Sequence, residues 1–112
     1  MFNIMHNSAD LDAAIAASHE KPVVVFKHSA SCPFSAAAQI EVAHAKHDLD
    51  IYGIVVQYVP ELKIEIAERL DVEHRSPQAI ILHKGKAVSD HWRSEINERK
   101  LKVAVKELMA AE

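Results

Sequence analysis

The chain has 112 residues, 49% apolar and 26% charged, with one cysteine; this is length enough for one domain, over 1–112, whose core needs no disulfide or structural metal. A net charge of −3 leaves no basic footprint for nucleic acid, the opening MFNIMHNSADLD is not a secretory signal, and no apolar run approaches the roughly 20 residues of a membrane helix. A lone thiol suits a reducing compartment, so the expectation is a cytoplasmic protein with neither nucleic-acid nor membrane partners.

Ser8 is a good helix N-cap, and Leu11, Ala14, Ile15 and Ser18 then share a helical face, with Asp10 and Asp12 in the first turn where the helix dipole favours acids. The helix should end before Glu20-Lys21-Pro22, because proline restricts the residue that precedes it. VVVF at 23–26 is continuous and β-branched, as in a strand buried on both faces. SCPFS follows, and SAAAQIEVAHAKHD, without a breaker, reads as a helix to about His47. IYGIVVQYV at 51–59 is a second apolar strand, closed by Pro60. ELKIEIAERLDV at 61–72 has helical spacing, with Lys63, Glu65, Glu68 and Arg69 on its wet face, and HRSPQ at 74–78 connects onward. AIILH, KG and KAVSDHW, from 79 to 92, read as a hairpin with Gly85 in its turn, and NERKLKVAVKELMAAE as a closing amphipathic helix. The lone Trp92 is expected to cap the core under that helix.

The order is αβαβαββα. Each of the first two strand-to-strand connections contains a helix, which demands parallel pairing and a right-handed crossover. The expected fold class is therefore α/β, a mixed sheet of about four strands with helices on both faces, which resembles a thioredoxin-like domain.

Cys32 stands where strand gives way to helix. There, unpaired N–H groups and the positive end of the helix dipole lower a thiol's pKa, and the thiolate is the nucleophile. Pro33 suits a first helical position. Lys27 and His28 lie just upstream; Lys27 is either a cation that holds a carboxylate of a small thiol or a solvated strand-end lysine, and His28 is similarly placed. The competing reading of Cys32 is a small core hydrophobe, but the serines at 29, 31 and 35 are polar company for a core site. His44 and His47, three apart, have metal-ligand spacing, but no carboxylate or thiol completes a set, so no metal is expected.

Cys32-Pro33-Phe34-Ser35 resembles the C-P-x-C active site of glutaredoxins and related thioredoxin-fold oxidoreductases, with Ser35 in place of the second cysteine. Ser76-Pro77 falls where such folds carry a cis-proline facing that cysteine. Together, FKHSASCPFS, VQYVPELKIEIAERLDVEHRSPQAIIL and KGKAVSDHW resemble the monothiol bacilliredoxin family, with Ser31 where a threonine is common. The resemblance implies a monothiol thiol–disulfide oxidoreductase that removes bacillithiol, or a similar small thiol, from S-thiolated cytosolic proteins through Cys32. Pro33, Ser35, Lys27, Ser76 and Pro77 would support the site. Ser35 cannot form a disulfide, but its hydroxyl can hydrogen-bond the thiolate. A cis Pro77 would leave the Ser76 carbonyl and N–H free for an incoming chain. No tightly bound cofactor is implied; the co-substrate is bacillithiol or another low-molecular-weight thiol, and the partners are S-thiolated client proteins and a separate regenerating reductase. The alternative is a non-catalytic thioredoxin-fold protein, either a dimer that holds an iron–sulfur cluster with a small thiol or a redox-responsive adaptor. Pro33, where cluster-binding relatives carry glycine, weighs against the cluster.

Overall fold

The structure, a computed structural model, describes residues 2–42 and 48–111. Its elements are β1 (Phe2–Ile4), α1 (Ser8–Ala17), β2 (Val23–His28), α2 (Pro33–Val42), β3 (Ile51–Val55), α3 (Pro60–Leu70), β4 (Gln78–His83), β5 (Lys86–Trp92), a single 3-10 turn (Arg93–Glu95) and α4 (Glu98–Ala110). The sheet runs β1-β3-β2-β4-β5. Strands β1 and β2 flank β3 in parallel, so the connection through α2 is the expected parallel crossover. The connection through α3 is not: β4 is antiparallel to both β2 and β5, and it lies beyond β2 rather than beside β3, so the helix returns the chain in the opposite sense.

The sheet has five strands rather than about four. The additional β1 is only three residues long, too short to show an alternation, and it exists because the edge of β3 offers it partners, with Phe2 opposite Ile51. Gly53 makes room for it: a Cβ there would sit 2.7 Å from the Phe2 ring. Strand β3 ends at Val55, short of the expected 59, since Val55 to Tyr58 close a turn through the Tyr58 N–H and the Val55 carbonyl at 3.0 Å. The first helix is capped by Asn7 rather than Ser8. The Asn7 side chain accepts the Asp10 N–H at 3.0 Å, and the Ser8 hydroxyl donates instead to Glu65 on α3. The part of α2 expected beyond Val42, with His44 and His47, lies outside the described residues.

Alternation along β2 divides the core. Val23 and Val25 pack with Ile80 and Leu82 under α1 and α3, against Leu11, Leu62 and Ile66. Val24 and Phe26 face the other way with Ile81, under Ala38 of α2 and Leu101 of α4. Five of the six β2 residues are buried, which explains the continuous apolar run of a strand covered on both faces. Lys84 and Gly85 join β4 to β5 with φ of 54° and 80°. Two positive φ values make the turn whose twist matches a two-residue hairpin. The buried Ser18 holds this turn to α1, accepting the Gly85 N–H at 2.9 Å on its hydroxyl and the Lys84 N–H at 2.8 Å on its carbonyl. In α4, Leu101 and Val105 are buried, while Val103 and Met109 are exposed.

Candidate active site

The end of β2 and the start of α2 place the thiol. Pro33 opens the helix, and the Cys32 carbonyl accepts the Ala36 N–H at 3.0 Å, so Cys32 is the N-cap residue. A half-buried sulfur at that position receives the free donors of the first turn. The Cys32 thiol is held below its ordinary pKa, first by the Ser35 backbone N–H, then by the Phe34 N–H, the Ser35 hydroxyl and the charge of Arg93, against an opposing desolvation. Ser35 is fully buried, and its hydroxyl accepts the Ser29 N–H at 3.0 Å. With that lone pair occupied, its own hydrogen is available to the sulfur.

The Ser76–Pro77 peptide is cis. The Pro77 carbonyl accepts the Arg93 N–H at 3.3 Å, and among the described residues the Ser76 N–H and C=O have no backbone partner. The Ser76 hydroxyl is buried and likewise lacks a partner among the described residues.

Lys27 is neither a solvated strand-end lysine nor a cation presented to solution. It points to the α3 side of the sheet, is fully buried, and donates from Nζ to Gln78 Oε1 at 2.9 Å. Gln78, the residue after the cis-proline, is fully engaged: its Nε2 donates to Asp90 Oδ1 at 2.7 Å and to the Glu73 carbonyl at 3.1 Å. Burial pushes the Lys27 pKa down to about 8, with Asp90 opposing. His28 points to the opposite face, where it stacks on Phe26 and meets Gln39 Nε2 through Nδ1 at 2.8 Å. Its pKa is lowered by desolvation.

The cation whose charge reaches the sulfur is Arg93, just past the end of β5. Its guanidinium carbon lies 4.6 Å from the Phe34 ring centroid and 4.4 Å from that of Trp92. Arg75 approaches the Trp92 ring at 5.0 Å. Trp92 is thus approached by two arginines beside the site and belongs to neither core cluster, contrary to the expected place under the last helix.

The family model for monothiol bacilliredoxin BrxC matches residues 3–101. The chain belongs to that family. Among solved structures, this bacilliredoxin-family chain is similar to a candidate oxidoreductase with a thioredoxin fold, at 30% identity and a TM-score of 0.82, covering 92% of each chain. It is also similar to a redox protein from Chlamydomonas reinhardtii, at 26% identity and a TM-score of 0.75, covering 97% of this chain but 36% of that one. Similarity to Fasciola hepatica thioredoxin, at 21% identity and a TM-score of 0.71 over 94% and 97% of the two chains, concerns the fold alone. The fold is therefore that of thioredoxin, and membership of the bacilliredoxin family gives the chain a redox role.

Of the residues singled out from sequence, the fold gathers Cys32, Pro33 and Ser35 at the N-terminus of α2, and brings Arg93 from across the sheet between Phe34 and the Pro77 carbonyl. It sends Lys27 and His28 to opposite faces, away from that cluster. Arg93 and Gln78 are not marked by the sequence, and Trp92, expected in the core, stands beside the site instead. The only sequence signal for the first two is position: Gln78 directly follows the proline, and Arg93 directly follows the hairpin. Pairing that converts position into proximity, with Gln78 opposite Trp92, is set by tertiary register. No group of three or more His, Cys, Asp or Glu side chains is placed to hold a metal ion among the described residues. No helix there is long and apolar enough to cross a membrane.

Proposed function

We propose that the protein is a monothiol thiol–disulfide oxidoreductase that removes bacillithiol, or a comparable small thiol, from S-thiolated client proteins through Cys32. The observation that carries this reading is a half-buried free thiol at the N-cap of α2, where Pro33 opens the helix and the Cys32 carbonyl accepts the Ala36 N–H at 3.0 Å. Ser35 stands where a second thiol would complete a dithiol site.

In the first step the Cys32 thiolate attacks the small-thiol sulfur of the mixed disulfide. A bond forms between those two sulfurs, the bond to the client sulfur breaks, and the client leaves as a thiolate that takes a proton from water. Ser35 has no sulfur with which to attack, so Cys32 remains S-thiolated. A second small thiolate, or a separate reductase thiol, then attacks the small-thiol sulfur and releases Cys32 as thiolate, which the helix terminus stabilises as a leaving group. Both steps conserve electrons, and neither requires a bound cofactor. The unpartnered Ser76 backbone offers an N–H and a carbonyl to an extended client segment.

The test is transfer of bacillithiol from a singly modified peptide to the protein, followed by intact mass, with Cys32→Ser as blank and the Cys32 pKa read from alkylation rate against pH. Expected are a stoichiometric mass gain on Cys32, an equal release of free peptide thiol, and a pKa below the ordinary cysteine value of about 8.5. An ordinary pKa with no transfer would overturn the reading. Modification of Cys32 by small-thiol disulfides alone, without release of peptide thiol, would indicate an adaptor.

A further inference from the structure

Arg93 is an exposed arginine one residue from the end of β5, and the structure gives it three unusual features. Its φ of 53° places a non-glycine residue in the left-handed region, a conformation that L side chains rarely adopt. The turn holds it there: its N–H donates to the Pro77 carbonyl at 3.3 Å, its carbonyl accepts the Ile96 N–H at 3.0 Å, and Glu95 Oε1 accepts the Trp92 N–H at 2.9 Å. Next, its guanidinium is packed against both Phe34, two residues from Cys32, and Trp92. Finally, among the described residues it has no carboxylate partner, whereas Arg69 pairs with Asp12 at 2.7 Å and Glu65 at 2.8 Å, and Arg75 with Glu73 at 3.7 Å. Contact between a cation and a ring consumes no carboxylate pairing, and the planar N–H fork of a guanidinium fits a carboxylate with two parallel bonds.

Resting on the exchange reading above, we propose that Arg93 is a specificity-determining residue, which binds a carboxylate of the small thiol joined to Cys32 and so selects acidic low-molecular-weight thiols. The same contact orients the mixed disulfide, so that its sulfur, rather than the client's, lies in line with the attacking thiolate. The partly exposed Phe34, at 47%, presents an apolar surface to the body of that thiol. Arg93 also favours the Cys32 thiolate, and the test must separate this second effect from recognition.

Two forms of one acid-free peptide achieve that separation, one carrying glutathione and the other glutathione dimethyl ester, which differ in their two carboxylates. The readout is the ratio of transfer rates to Cys32, glutathione form over ester form, in which any change of thiolate population cancels. For a solvent-exposed charge-assisted contact we expect a ratio of about two to five in the native protein. It should drop close to one in Arg93→Gln, hold an intermediate value in Arg93→Lys, and decline as salt is raised. An unchanged ratio in Arg93→Gln, with both rates lowered equally, would overturn the inference and leave Arg93 only its influence on the sulfur. Absence of transfer from both glutathione peptides would overturn the inference, and absence of transfer from the bacillithiol peptide as well would overturn the exchange reading itself.

Discussion

Lys27→Met, made in a Cys32→Ser background so that the thiol does not titrate, removes a charge that the fold buries completely. Desolvation lowers the Lys27 pKa from 10.5 to about 8. The folded chain therefore holds this proton less tightly than the unfolded chain. Between pH 8 and pH 10.5 the unfolded state binds more protons, so stability rises with pH across that window. Below it the penalty is fully present, at about 3 kcal/mol if each tenfold change in proton affinity is worth about 1.36 kcal/mol. Local opening that lets water reach the ammonium reduces this, so a rise of about 2 kcal/mol between about pH 6 and about pH 10 is expected. Methionine has similar length and no charge. It removes the penalty but also loses the bond to Gln78, worth about 1 kcal/mol. The variant should therefore be about 1 kcal/mol more stable than its parent near pH 7, and equal or less stable near pH 10. Urea unfolding followed by far-ultraviolet circular dichroism at several pH values measures both curves, and their difference cancels the titration of the other lysines and tyrosines. A difference that does not vary with pH would refute the reasoning, because Lys27 would then titrate alike in both states.

Ser35→Ala removes one of the donors that lower the Cys32 pKa but keeps the larger contribution of the Ser35 backbone N–H. The Cys32 pKa should rise without reaching that of a free cysteine. Alkylation should thus be slower than native at neutral pH and no slower than native once pH exceeds both pKa values, because a thiolate of higher pKa is the better nucleophile; an unchanged pH profile would show that the hydroxyl does not act on the sulfur. Gly85→Ala adds a Cβ at φ of 80° and 2.9 Å from His19 Nε2, which should cost about 1–2 kcal/mol and lower Tm by several degrees in a thermal melt without changing the alkylation rate of Cys32.

The local chemistry of the thiol was legible in the sequence alone. A buried β-branched run followed by Ser-Cys-Pro leaves the chain little choice but a strand that gives way to a helix beginning at Pro33, and the N-cap geometry of Cys32 then follows from which N–H groups a helix leaves unpaired. The hairpin was legible for the same reason, since Lys84-Gly85 fits a two-residue turn between a continuous apolar strand and an alternating one. Whatever depends on register was decided only by tertiary structure. Strand β1 is too short to signal itself and forms only because the β3 edge and the bare Gly53 receive it. Lys27 and His28 are adjacent in sequence, yet the pleat of β2 sends one to Gln78 and the other to Gln39. Arg93, remote from Cys32 in sequence, reaches Phe34 because β5 pairs with β4 and ends beside Pro77. Sequence patterns specify helices, strands and their caps, where the interacting groups lie within a few residues. A charge carried across the sheet to a sulfur depends on which strands are neighbours and where each one ends, and that is settled by the packing of the whole core.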